Sequence, residues 1–98
     1  MLESKFQSEV IKDLRVLYPG CVILKNDANY LQGIPDVLIL FEDRWAMLEF
    51  KRTKGERRQP NQRYYVDKLN AMSYAAFIYP SNRAEVYDAL QLALRPRR

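Results

Sequence analysis

The sequence has no histidine, one cysteine, one tryptophan and only three glycines in 98 residues. Without histidine there can be no Ser-His-Asp triad, no imidazole-based zinc site and no imidazole acid–base catalysis. The lone Cys21 cannot form an internal disulfide, and among apolar neighbours it reads as packing. A reducing, intracellular setting is the expectation that follows. Glycine and proline are too few for a collagen-like or low-complexity chain. No apolar run approaches the roughly 20 residues of a membrane span, so no membrane partner is expected. The first ten residues carry Glu3 and Glu9 where a secretory leader would be apolar, so none is expected there.

What the chain does have is 48% hydrophobic and 29% charged residues, the balance of one globular domain over residues 1–98. A core of this size is thin, and assembly into an oligomer would bury more surface. The net charge is +4, with a pI near 9.3. The placement of that charge says more than its sum. Lys51, Arg52, Lys54, Arg57, Arg58 and Arg63 fall within thirteen residues against the single acid Glu56, and the chain ends Arg95-Pro96-Arg97-Arg98. Such clusters suit phosphate groups. Their simpler reading is a solvated loop and a frayed tail.

Periodicity predicts a helix over residues 3–17, where Phe6, Val10, Ile11, Leu14 and Leu17 recur at helical spacing before Pro19-Gly20. Short apolar runs predict strands at 21–25, 36–41, 45–51 and 75–79. The run 36–41 (DVLILF) reads as covered on both faces. Residues 26–34 read as a loop and 42–44 as a tight turn. A second helix is expected from about Pro60 to Met72 and a third over about 83–94. The order α-β-β-β-α-β-α implies an α/β fold, a small mixed central sheet flanked by helices.

The chemistry concentrates on the hairpin formed by the second and third strands. A turn centred between Glu42 and Asp43 sets Asp36 directly opposite Glu49, where Cβ atoms lie about 4.5–5.5 Å apart. Strand alternation sends Glu49 and Lys51 to the same side. Two adjacent carboxylates repel, and a divalent cation resolves that conflict. Oxygen donors alone favour Mg²⁺ or Mn²⁺. A lysine beside such an ion can orient an attacking water and stabilise charge on a phosphate. An ordinary salt-bridged hairpin is the plainer alternative, and Trp45 and Met47, on the same side as Glu49, read as core.

Gly33-Ile34-Pro35-Asp36 followed by Glu49-Phe50-Lys51 resembles the G-x-P-D…E-x-K signature of the PD-(D/E)XK nuclease superfamily. Gln62-x-x-Tyr65, with Leu69 one turn on, resembles that superfamily's virus-type replication–repair branch (VRR-NUC), to which archaeal Holliday junction resolvases are close relatives. The resemblance covers roughly residues 3–80. It implies a restriction-endonuclease-like core. It also implies metal binding by Asp36, Glu49 and the Phe50 carbonyl, water positioning by Lys51, and a supporting role for Gln62 near Lys51. Tyr65 would touch the DNA backbone or simply pack. Gly33 would let the backbone pass close to the site or serve as a plain turn glycine. The family adds an acid from the first helix. Glu3, four residues before Gln7, fits the VRR-NUC pattern, and Glu9 fits the resolvase spacing.

The function expected on these grounds is Mg²⁺- or Mn²⁺-dependent hydrolysis of DNA by an endonuclease selective for branched DNA or four-way junctions. Lys51, Arg52, Lys54, Arg57, Arg58, Arg63 and Tyr65 would form the nucleic-acid surface. An exonuclease on the same site and a non-catalytic nucleic-acid-binding module are the alternatives. A homodimer is expected, joined through the first helix or the region after Pro80, where Tyr87, Leu90, Leu92 and Leu94 spread widely around a helix. A monomer in which these leucines cover the sheet is its alternative. The short chain suits a virus-encoded enzyme acting inside a host cell.

Overall fold

The computed structural model describes residues 2–95; Pro96, Arg97 and Arg98 of the basic tail lie outside the described residues. Helix α1 (Glu3–Leu17) buries Phe6, Val10 and Leu14, one per turn, and its last turn closes when Tyr18 N–H donates to the Leu14 carbonyl at 2.8 Å. Gly20, at φ +87°, then reverses the chain. Strands β1 (Val22–Lys25), β2 (Val37–Phe41) and β3 (Arg44–Phe50) form an antiparallel meander. The β2–β3 hairpin turns on Glu42, which adopts the left-handed conformation at φ 56°. Helix α2 (Gln62–Met72) crosses over to β4 (Ala75–Ile78), which runs parallel to β3. A 3₁₀ turn (Pro80–Asn82) leads into α3 (Arg83–Ala93).

The sheet order is β1-β2-β3-β4, mixed in direction. One face, carrying Val37, Ile39, Ala46, Leu48, Phe50 and Ile78, packs under α1 and α3. Phe6 meets Phe50 edge-on there, with ring centroids 5.8 Å apart. The other face packs Trp45, Met47, Ala75 and Phe77 under Val66 and Leu69 of α2. Among the described residues no helix is long and apolar enough to cross a membrane.

Three expectations need correcting. Helix α2 begins at Gln62, two residues after Pro60, because Asn61 sits at φ +70° and cannot be helical. Strand β2 is covered on one face only. Leu38 is half-buried and Leu40 exposed, because α2 lies over β3 and β4. The α3 leucines are not a free surface, since Val86, Leu90 and Leu94 form one buried core face and Tyr87 donates to Asp13 at 2.7 Å. Only Leu92 of that group is exposed.

Candidate active site

The hairpin register pairs Val37 with Leu48, which sets Asp36 and Glu49 opposite each other at the mouth of the β2–β3 ladder. Asp36 Oδ2 accepts from Phe50 N–H at 2.8 Å, fixing its carboxyl against the neighbouring strand. Glu49 is 3% exposed. Its Oε2 accepts from Gln62 Nε2 at 2.9 Å and lies 3.8 Å from Lys51 Nζ, while its Oε1 is buried with no partner. Burial, and then the Asp36 charge beside it, pushes the Glu49 carboxyl up to about 8. The Asp36 carboxyl is also raised, chiefly by burial, although the Phe50 N–H and Lys51 pull the other way.

Gln62 is held from both ends. Its Oε1 accepts from Gln59 N–H at 2.8 Å, which turns Nε2 toward Glu49. Lys51 is buried, and its ammonium reaches the Arg57 carbonyl at 3.5 Å as well as Glu49. The main chain at Lys51 continues the sheet past β3 by donating to the Ile78 carbonyl at 2.9 Å. Buried paired carboxylates with one ammonium are costly unless compensated. The orphaned Glu49 oxygen marks where that compensation is incomplete.

The two helix acids separate cleanly. Glu3 stands at the start of α1, and its carboxyl is raised by burial and then by the charges of Glu56 and Asp36, so it shares the field of this site. Glu9 instead binds Arg83 Nη2 at 3.2 Å on the α1–α3 side, where the same guanidinium lies over the Phe6 ring at 5.0 Å.

The basic residues also divide. Arg52 and Arg57 line a cleft of about 580 Å³ with Thr53, Glu56 and Gln59, immediately after Lys51 in the chain. Lys54 is exposed on the same loop. Arg58 lies over the Phe77 ring at 4.1 Å, and Arg63 pairs with Asp67 at 3.1 Å. These two side chains already have partners, and so does Arg52, whose Nε lies 3.5 Å from Glu56 Oε1 within the cleft. Tyr65 is half-buried, packed with the α2 cluster and edge-on to Tyr64 at 5.0 Å.

Four contributors escaped the sequence reading. Asn26 N–H donates to the Asp36 carbonyl at 2.8 Å and its side chain to the Pro35 carbonyl at 2.9 Å, so β1 anchors the Pro35-Asp36 step. Gln59 orients Gln62. Glu56 receives Arg52 N–H and adds negative charge near Glu3 and Asp36. Asn61 abuts Gly33. A Cβ on Gly33 would lie 2.6 Å from Asn61 Cβ and 2.7 Å from its carbonyl carbon. Gly33 is thus a turn glycine at φ +93° that also lets the backbone approach closely, at Asn61 rather than at the paired carboxylates. Its signal in the sequence was the glycine itself, which did not name the partner.

Among the described residues no three Asp, Glu, Cys or His side chains stand together as a ready-made metal cage. The donors present are two opposed carboxylates, one with a buried free oxygen. Such hard oxygen donors fit Mg²⁺ or Mn²⁺ rather than a softer metal. No protein-family model matches the chain, and no curated protein or solved structure matches it.

Proposed function

We propose that the chain is a Mg²⁺- or Mn²⁺-dependent DNA nuclease of the PD-(D/E)XK type, of the VRR-NUC kind that its motifs resemble. The observation that carries this reading is Glu49: a buried carboxyl opposite Asp36 and hydrogen-bonded with it, beside Lys51, with Oε2 held by Gln62 and no protein N–H donor at Oε1. The order of elements and the mixed sheet are those the resemblance implies, which supports the reading further.

In this scheme Asp36 and Glu49 hold the cation, with the Phe50 carbonyl and Glu3 as further oxygen donors. When bound, the cation polarises the phosphate and lowers the pKa of water beside it. Gln62 keeps Glu49 in one rotamer, and the Phe50 N–H does the same for Asp36. The Lys51 ammonium holds the attacking water by hydrogen bonding and offsets charge on the phosphate as it becomes five-coordinate. Water attack forms one P–O bond as a proton of that water passes to solvent, and the bond to the sugar oxygen breaks, that oxygen leaving with a proton taken from solvent. The cleft with Arg52 and Arg57 receives the flanking phosphates.

The preferred substrate is branched DNA and the working species a homodimer, acting inside a cell where Cys21 stays reduced. Support for assembly comes from the half of the sheet that α2 leaves open. The test of the whole reading is incubation of linear, flap and four-way-junction DNAs with Mg²⁺, Mn²⁺ or EDTA. Cleavage with metal that is lost in Asp36→Asn and Glu49→Gln is expected. Binding without cleavage in every metal would reduce the chain to a nucleic-acid-binding module, and full cleavage by Asp36→Asn would overturn the site.

A further inference from the structure

The loop between β1 and β2 is tightly built and nevertheless presents an aromatic ring to water. Asp27 organises it: its Oδ1 accepts from Asn29 N–H at 2.8 Å, and its carbonyl accepts from Tyr30 and Leu31 N–H at 3.0 and 3.2 Å. Ile34 N–H closes the following turn on the Leu31 carbonyl at 3.2 Å. Tyr30 at the crest is 91% exposed. Aromatic side chains contribute most when their faces are covered, and this one is held out by a hydrogen-bonded frame without a ring partner. Beneath it lies a cleft of about 430 Å³ lined by Asn26, Asp27, Tyr30, Leu31 and Ile34. A mainly apolar cleft of that size with a few polar groups is what a small flat ligand requires.

We infer that this cleft is a nucleobase site, in which an unpaired base of the bound strand stacks on Tyr30 while its phosphate lies at Asp36 and Glu49. The identity of the ligand rests on the nuclease reading. Position supports it, because Asn26, a wall of the cleft, is bonded through its main chain and side chain to Asp36 and Pro35. Cleft and candidate site are therefore joined at a single residue step. Charge decides which part of a nucleotide goes where. Arg57 offers positive charge on the loop after β3, where Arg52 is paired with Glu56, whereas the polar groups of the cleft under Tyr30 include the Asp27 carboxylate, which repels phosphate and accepts from base amino groups. A base locked in a duplex cannot enter, so the site selects strands with a frayed, bulged or single-stranded nucleotide.

The test uses the full chain in EDTA, where binding is read without cleavage. The probes are a single-stranded oligonucleotide carrying one 2-aminopurine and the same strand in a perfect duplex. The wild-type protein should quench the single-stranded probe on binding. Tyr30→Ala should weaken single-strand binding by about tenfold, the scale of one lost stacked base, and abolish the quench. Tyr30→Phe should keep both, and duplex affinity should be the same in all three proteins. Tyr30 is exposed, so these variants fold. Unchanged quenching and affinity in Tyr30→Ala would overturn the inference even if the protein cleaves DNA, and so would an altered sedimentation coefficient with unaltered DNA binding. Tyr30-dependent quenching with no cleavage in Mg²⁺ or Mn²⁺ would leave the base site standing and remove the nuclease. Failure to bind either probe would overturn the base site, and cleavage in Mg²⁺ or Mn²⁺ would then decide the nuclease separately.

Discussion

The Glu49 carboxyl is buried and shares a side-chain hydrogen bond with Asp36, and its Oε1 has no N–H donor. Because burial and the Asp36 charge raise its pKa to about 8, the native protein holds a proton that the unfolded chain gives up near the ordinary glutamate value of 4.5. Between those values the native state binds more protons than the unfolded one, so stability falls as pH rises. In EDTA the melting temperature should therefore drop from pH 5 to pH 8, and Glu49→Gln should flatten that slope. Mg²⁺ added at pH 8 should raise the melting temperature of the wild type and not of the variant. A slope identical in both proteins would show that Glu49 carries no such burden. Lys51 acts on the same carboxylate from the other side. Lys51→Ala should cut the cleavage rate by about 10²-fold or more while metal still binds, as removal of one charge-stabilising donor does elsewhere. Asp36, Glu49 and Lys51 were legible because strand alternation and a two-residue turn fix their relative positions. Gln59, Asn26 and Glu56 were not, because loop paths alone bring them in.

Helix α2 and the loop before β2 meet at Gly33, and this contact sets where Gln62 stands. Gly33 adopts φ +93°, and any Cβ there would drive into Asn61, whose own left-handed conformation begins α2. Gly33→Ala should therefore push the start of α2 away, taking Gln62 from Glu49. The expected result is a loss of about 1–3 kcal/mol in stability, together with weaker Mg²⁺ binding by calorimetry. Normal metal affinity in that variant would separate the loop from the site. The basic loop after β3 gives a second contrast between elements. Arg57 lines the cleft, whereas Arg58 is spent on the Phe77 ring. Arg57→Ala should weaken binding evenly across DNA sequences and reduce the salt slope by about one. Arg58→Ala should act mainly on stability. Equal salt slopes in the two variants would overturn that division. Helix and strand positions could be read from apolar spacing, but which of the two exposed arginines lies over a β4 ring depends on packing, beyond the reach of any local pattern.

At the scale of the molecule, the three α-helices and four strands of the described residues leave one part of the sheet without a layer. Helices α1 and α3 cover one face, and α2 covers β3 and β4 on the other. The element order was legible, but this gap was not, since β2 is apolar throughout and gives no sign of which side lacks a helix. Along the gap Val22, Leu24 and Leu40 are 51%, 47% and 37% exposed, on pairs that share one side of the β1–β2 ladder. Strand β1 is also an edge, with β2 as its one neighbour in the sheet. An apolar strip beside an open edge invites association unless something covers it. A second copy related by a two-fold axis would cover it with the same strip, because an isologous contact needs only a self-complementary surface. The proposed dimer therefore moves from α3, whose leucines are spent on the core, to the β1–β2 face. Sedimentation at micromolar concentration should show a dimer. Leu24→Lys should give a monomer with unchanged circular dichroism, because that side chain is exposed and belongs to neither core cluster. Leu92→Lys, on the exposed side of α3, should leave the dimer intact. A wild-type monomer both alone and with four-way-junction DNA would reject the dimer, and dissociation by Leu92→Lys alone would return the interface to α3.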